Sequence, residues 1–406
     1  MNVYTATATA NKPRTATVAA FGVCIAATIV LTVRTLRLAL AGPFVRPYQS
    51  SQYWVNYNDG FVRRGLPGAV LTLFGGPTVS SVEVFAAITA VLAIFAMAAA
   101  AVRLFAVAHS RAAGVAAAVI VLASPFTVSL TVRDLGRYDA IGMIALVAIA
   151  LVSDIGGPRL LKSAAIAALV TVSVACEEFL LVFAGPVAVA ALVHIWGKDR
   201  ARLFVVASVG LLPAAILATA SVAAKPTVPY ILNAIADARV AGVDLDVASL
   251  NAISALIQTP AQTLGLVAQL SVFTRVVCIF AWGVTLLASG FAVWWLVGRP
   301  ISGLLRVAAV IIGVGALALS FAGIDYRRWW ALAFVAVVAI LVVVTQDAYR
   351  PRPLNATPVA MAALIGVLGL SVVMQGFPVH PKWDPGSKQL VQIVDDEGLV
   401  VVNDRD

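Results

Sequence analysis

From about Thr15 onward the chain alternates long apolar blocks with short polar breaks. The first block runs from about Thr15 to Ala41, long enough to cross ~30 Å of hydrocarbon as a helix. Ala39-Leu40-Ala41 has the look of a signal cleavage site, but Arg34 and Arg37 lie between it and the apolar run, which suits a retained anchor better. Further apolar blocks fall near 82–108, 112–131, 140–153, 162–177, 179–196, 203–223, 276–297, 303–322, 329–345 and 357–375. With the first block they predict about eleven transmembrane helices, and the boundaries across 140–182 are the least sharply drawn. The expected fold class is therefore all-α, a polytopic transmembrane bundle over residues 1–375.

Between the blocks, two segments carry patterns of their own. In the loop 224–262, Ile231, Ile235, Val247, Leu250, Ile253, Leu256 and Ile257 recur at helical spacing, predicting short interfacial helices on the membrane surface. In the tail 376–406, two apolar runs flank Asp395-Asp396-Glu397-Gly398, which reads as a β-hairpin in a small external segment.

Composition agrees with the pattern. The chain has 406 residues, 61% of them hydrophobic and 12% charged, with mean hydropathy +0.98, well outside the soluble range. The formal charge of +9 is spread over loops and not gathered in a basic domain, so nucleic acid is not an expected partner. Placing the N-terminus in the cytoplasm puts Arg111, Arg159, Lys162, Lys198, Arg200, Arg202, Arg299, Arg306, Arg350 and Arg352 inside, as the positive-inside rule requires. An odd helix count then puts the C-terminus outside, in a plasma or inner membrane protein. Cys24, Cys176 and Cys278 stand apart with no CxxC pair, which speaks against a disulfide framework or a zinc site.

On the expected external side lie four polar clusters: Tyr53 to Gly68 in the loop 42–80, Arg133 to Asp139, Cys176-Glu177-Glu178, and Asp325 to Trp330. Ionisable groups at membrane depth are costly and usually functional. Asp59, beside Gly60 and flanked by Asn56 and Asn58, is the first candidate for a catalytic general base, with Glu177 and Glu178 next. Arg63 and Arg64 precede a short apolar segment, Leu66–Phe74, and suit a phosphate held by forked hydrogen bonds. Arg137, Asp139, Asp325, Arg327 and Arg328 complete the substrate- or phosphate-binding candidates. Trp54, Tyr57, Tyr138 and Trp329 are candidate sugar contacts, although tryptophans at helix ends are also ordinary interfacial belt residues. A divalent cation bridging Glu177 or Glu178 to Asp59 is chemically allowed, but no spacing selects for one and no metal ligand set is assigned. The chain lacks GxxxxGK[ST], HExxH and GxSxG, so a P-loop ATPase, a zinc protease and a serine hydrolase are poorly supported.

This arrangement resembles the GT-C type glycosyltransferases, polytopic enzymes with an acidic residue in the first external loop. The segments at 59–66, 134–139 and 325–329 also resemble the DGFxRRGL, DxGRxD and D-(Y/W)-x-RW motifs of bacterial surface-polysaccharide membrane proteins. The first loop departs from the better-known enzymes in having only Asp59 where they have paired acids. The resemblance implies transfer of a sugar from a polyprenyl-phosphate donor to an envelope glycan or lipid at the outer leaflet. A polymerase using polyprenyl-diphosphate-linked units and a flippase of lipid-linked sugars are the alternative expectations.

Overall fold

The computed structural model describes residues 44–58, 60–108, 110–197, 199–224, 226–243, 271–298, 303–323, 325–345, 357–375, 389–395 and 398–404, with isolated positions 33, 37, 252, 253, 256, 264, 265, 267 and 268. The expected first span, part of the loop 224–262 and Asp59 lie outside these residues. In chain order the helices are α1 (Pro47–Ser51), α2 (Leu66–Thr72), α3 (Val79–Val107), α4 (Arg111–Ala123), α5 (Val128–Arg133), α6 (Asp139–Asp154) and α7 (Arg159–Cys176). They continue with α8 (Leu181–Trp196), α9 (Arg200–Ala223), α10 (Val228–Val240), α11 (Val272–Val297), α12 (Gly303–Ala322), α13 (Tyr326–Val344) and α14 (Thr357–Gln375). Single 3-10 turns, Gln52–Trp54 and Glu178–Leu180, follow α1 and precede α8. Strands β1 (Gln389–Asp395) and β2 (Gly398–Asp404) pair antiparallel, with Asp395 opposite Gly398.

Among the described residues, seven helical stretches are long and apolar enough to cross a membrane: Val79–Val107, Arg111–Arg133, Arg159–Cys176, Glu178–Trp196, Arg200–Ala223, Val272–Val297 and Tyr326–Val344. Arg306–Ala322 and Ala360–Met374 are shorter apolar helices. The molecule is thus a helical membrane protein. Its helices start where a polar side chain precedes an apolar run. Thr78, Ser110, Asp199, Thr227 and Ser271 each accept a hydrogen bond from the backbone N–H three residues on, satisfying one orphan donor of the first turn. α4 and α5 are separate because the Ser124-Pro125 step lacks the backbone donor that would carry the ladder through.

The centre of the bundle is α13. Every residue from Tyr326 to Val343 except Val337 is buried, as expected of a helix that is apolar all round. It packs against α6, α8, α11 and α12. The outer helices instead expose large apolar side chains, among them Phe95 on α3, Phe204 on α9 and Phe280 on α11, a surface fit for lipid. Small residues bring neighbours close. A Cβ on Gly315 of α12 would lie 2.2 Å from Val182 Cγ1 on α8.

A smaller second core sits at the end of the bundle where α13 begins. It holds Tyr53, Trp54, Val55, Val62, Tyr138, Tyr230, Ile231 and Ile235. The surface that the apolar face of α10 covers is protein: Ile231 and Ile235 are buried in this core, which corrects the expectation that they rest on the membrane. Tyr230 fastens the helix there, its hydroxyl accepting from the Asn56 N–H at 2.8 Å and donating to the Asn56 carbonyl at 3.0 Å.

Candidate functional site

The loop before α2 is shaped by two close approaches. A Cβ on Gly68 would meet the Val55 carbonyl oxygen at 2.0 Å, and one on Gly65 would meet the Tyr57 ring at 2.5 Å. The chain therefore doubles back tightly between Tyr57 and Gly68. At the bend Arg64 has φ +64°, the one non-glycine residue in the left-handed region among the described residues. Such a conformation costs an L residue roughly 1–2 kcal/mol. It is maintained here by what the side chain reaches.

Arg64 forks onto Glu178, Nε to Oε2 at 3.1 Å and Nη2 to Oε1 at 2.9 Å, and Nη2 lies 3.3 Å from Glu177 Oε1. Arg63 Nη1 lies 3.7 Å from Glu178 Oε1. On the first turn of α13, Arg328 meets three carboxylates: Asp139 Oδ2 at 2.6 Å, Asp325 Oδ2 at 2.9 Å and Glu177 Oε2 at 3.0 Å. Arg137 Nη1 joins from the turn before α6, 3.3 Å from Asp325 Oδ2. Two of these guanidiniums also lie over rings, Arg137 over Tyr48 at 5.3 Å and Arg328 over Phe179 at 5.5 Å.

The four polar clusters thus meet in one network of Arg63, Arg64, Arg137 and Arg328 with Asp139, Glu177, Glu178 and Asp325. Its formal charges balance. A buried ion pair survives only where partners and hydrogen bonds offset desolvation, and the sharing of Asp325, Glu177 and Glu178 between two guanidiniums each, with Arg328 serving three carboxylates, provides this. The centre is sealed, with the Asp139 and Glu177 side chains 5% and 2% exposed, whereas Arg64 at 26% forms an accessible edge. Burial alone would lower the Arg64 pKa, but the Glu177 and Glu178 carboxylates outweigh it and hold the guanidinium well above its ordinary value. Arg137 is raised by the same contest, burial against Asp325. Burial pushes the Tyr57 phenol up to about 12.

Beside the network lies a cavity of about 10 Å³ lined by Thr131, Asp134, Leu135, Gly136, Asp139 and Met143, among others. That is the volume of about one water, and Asp139 Oδ1 is buried with no hydrogen-bond partner among the described residues. No group of three or more His, Cys, Asp or Glu among the described residues is placed to hold a metal ion.

The aromatic candidates divide. Trp54, Tyr138 and Trp329 are buried, so as sugar contacts they are corrected to core residues. Tyr138 packs edge-on against Tyr53 at 5.3 Å and donates its hydroxyl to the Gln52 carbonyl at 3.0 Å. Trp329 closes over Gly323, whose added Cβ would sit 2.7 Å from the indole. Tyr57 alone stays partly open, stacked on the exposed Phe61 at 5.8 Å. Arg327 stands apart from the network, its Nη2 donating to the Pro125 carbonyl at 3.4 Å. The sequence reading missed Tyr48 and Phe179, and the only signal for the latter is its place directly after the glutamates.

No protein-family model matches the chain, and neither a curated protein nor a solved structure does.

Proposed function

We propose that this protein is a membrane glycosyltransferase of the GT-C type, moving a sugar from a polyprenyl-phosphate donor to a glycan or lipid of the cell envelope. In this reading about eleven helices cross a plasma or inner membrane, with the N-terminus in the cytoplasm and the site and C-terminus outside. The observation that carries it is Arg64: a strained backbone that aims a guanidinium at the accessible edge of an otherwise sealed network. Strain of this kind concentrates at functional sites. Arg63 and Arg64 follow the stacked Tyr57 and Phe61 on the same loop, giving cations for a phosphate near an aromatic surface for a sugar.

In the proposed reaction Asp59 takes the proton of the acceptor hydroxyl, whose oxygen attacks the anomeric carbon as the bond to the phosphate oxygen breaks. Arg63 and Arg64 take up the charge on the departing phosphate, the largest contribution a preorganised site makes. Glu177 and Glu178 pair with guanidiniums and act as positioning residues that hold Arg64 and Arg328. The test is release of polyprenyl phosphate from a polyprenyl-phosphate sugar by the purified protein in lipid with an envelope extract as acceptor. Asp59→Asn should lower turnover by about 10²–10⁴-fold with donor binding retained. Turnover only with a diphosphate-linked donor would select the polymerase, and movement of donor across the bilayer without release would select the flippase.

A further inference from the structure

Arg327, at this end of the bundle, lies outside the balanced network and is buried. Arg327 immediately precedes Arg328, and a helical step of about 100° turns it toward the break between α4 and α5. It is 2% exposed, and its hydrogen bond to Pro125 is long at 3.4 Å. Its Nε and Nη1 have no acceptor among the described residues. Asp134 and Arg133 lie near enough to act on its charge, and Asp134 and Arg46 near enough to act on that of Arg133. Among the described residues this group sets three guanidiniums against one carboxylate, which also acts on Arg137, whereas the neighbouring network is neutral.

The frame that gathers them is built. Gly136, at φ +90°, lies so close to the chain before α1 that a Cβ there would meet Val45 Cγ1 at 2.6 Å. Gln52 Nε2 donates to the Gly136 carbonyl at 2.5 Å, fixing α1 and its following turn against the turn that ends α5. Arg46 is exposed, Arg133 half-buried and Arg327 buried, so the group runs from the surface inward. Phe44 and Tyr48 beside Arg46 are exposed apolar side chains, suited to a membrane boundary.

We propose that Arg46, Arg133 and Arg327 form a phosphate-binding site, separate from the neutral network, that takes the phosphate ester of a lipid. A buried guanidinium without a counter-ion is strongly unfavourable, and a tetrahedral oxyanion between Arg133 and Arg327 supplies the acceptor that Nε and Nη1 lack. Forked guanidiniums match phosphate geometry, and an excess of two positive charges matches its charge. A headgroup of the bilayer and a lipid-linked carrier present the same chemistry. The site does not depend on the transfer reaction, since occupancy is read at equilibrium without turnover.

The experiment uses the full chain in phosphatidylcholine nanodiscs, titrated with farnesyl phosphate, alongside native mass spectrometry after exposure to phosphatidylglycerol. If the source is a lipid-linked carrier, farnesyl phosphate binds even in an Arg63→Gln/Arg64→Gln background, which removes the cations assigned to the transferred phosphate, and there Arg133→Gln and Arg327→Met each weaken it by about 10–100-fold. If the source is the bilayer, farnesyl phosphate does not bind but phosphatidylglycerol is retained, and Arg133→Gln releases it. Arg327→Met should also raise the unfolding midpoint of the lipid-free protein, because it removes an unpaired buried charge. Arg46→Gln and Arg133→Gln alter partly exposed positions and keep the test independent of whether the Arg327 variant folds. The proposal is overturned if neither ligand binds in that background, or if binding there is indifferent to Arg46 and Arg133.

Discussion

Arg328 is the hub on which the site's stability turns, and replacing it with Met tests this directly. The substitution keeps much of the volume on the first turn of α13 and removes the cation from Asp139, Asp325 and Glu177 at once. Asp325 retains Arg137, and Glu177 retains Arg64 at 3.3 Å, but Asp139 loses the ion pair it makes. Removing one partner of a buried pair costs about 3–5 kcal/mol. For a chain of 406 residues that corresponds to a midpoint shift on the order of 4–6 °C. A thiol-reactive dye suits the measurement, since Cys176 and Cys278 are free and buried until the protein opens. Arg328→Met with Asp139→Asn leaves three guanidiniums against three carboxylates and should recover most of the loss. An unchanged midpoint in the single variant, or a double variant no better than the single, would refute the view that charge balance holds this end together.

Three further outcomes follow from particular contacts. Gly68→Ala places a methyl group 2.0 Å from the Val55 carbonyl oxygen and should destabilise by about 1–3 kcal/mol or more, read as a lower midpoint or loss of folded yield. At position 64 the usual order of helix and loop formers should reverse, with Arg64→Gly more stable than Arg64→Ala by about 1 kcal/mol, because both lose the fork and only glycine relaxes the left-handed backbone. For orientation, in a background without native cysteines, Asn58→Cys should react with an impermeant thiol reagent in intact cells and Arg202→Cys should not, each lying at an exposed position; the opposite pattern would place the site in the cytoplasm.

Much of the helical layout was legible because membrane helices announce themselves by length and by the polar residue before them. The block expected at 82–108 is α3 at Val79–Val107, with Thr78 as its cap, and that at 203–223 is α9, beginning behind Asp199. Depth in the bundle was not legible. α9 has mean hydropathy 2.3 and faces outward almost everywhere, while α13 has 2.0 and is the buried centre. Lipid and protein core are equally apolar, so hydropathy does not distinguish them. The site residues stood out as ionisable groups among alanines and valines, but their pairing did not. Arg64 meets Glu178 across 114 positions and Arg328 meets Asp139 across 189, separations with no periodic trace in one sequence. Trp54, Tyr138 and Trp329 proved to be core residues for the same reason, because a belt residue and a core residue at a helix end have the same neighbours in sequence.

The burial of α13 also has a consequence for how the protein is made. Glu177 leaves the ribosome 151 residues before Arg328, a gap of about 8–30 s at roughly 5–20 residues per second. Arg64 is already present to meet Glu177 and Glu178 when they emerge, so that half of the network closes early. Asp139 has no such early partner and waits for Arg328. Until then the faces of α6 and α8 that pack on α13 have no partner, since that helix has not been translated. The core is therefore delivered late into a waiting shell, and a nascent chain stalled before residue 325 would hold the Asp139 carboxylate without its cation in place of a centre.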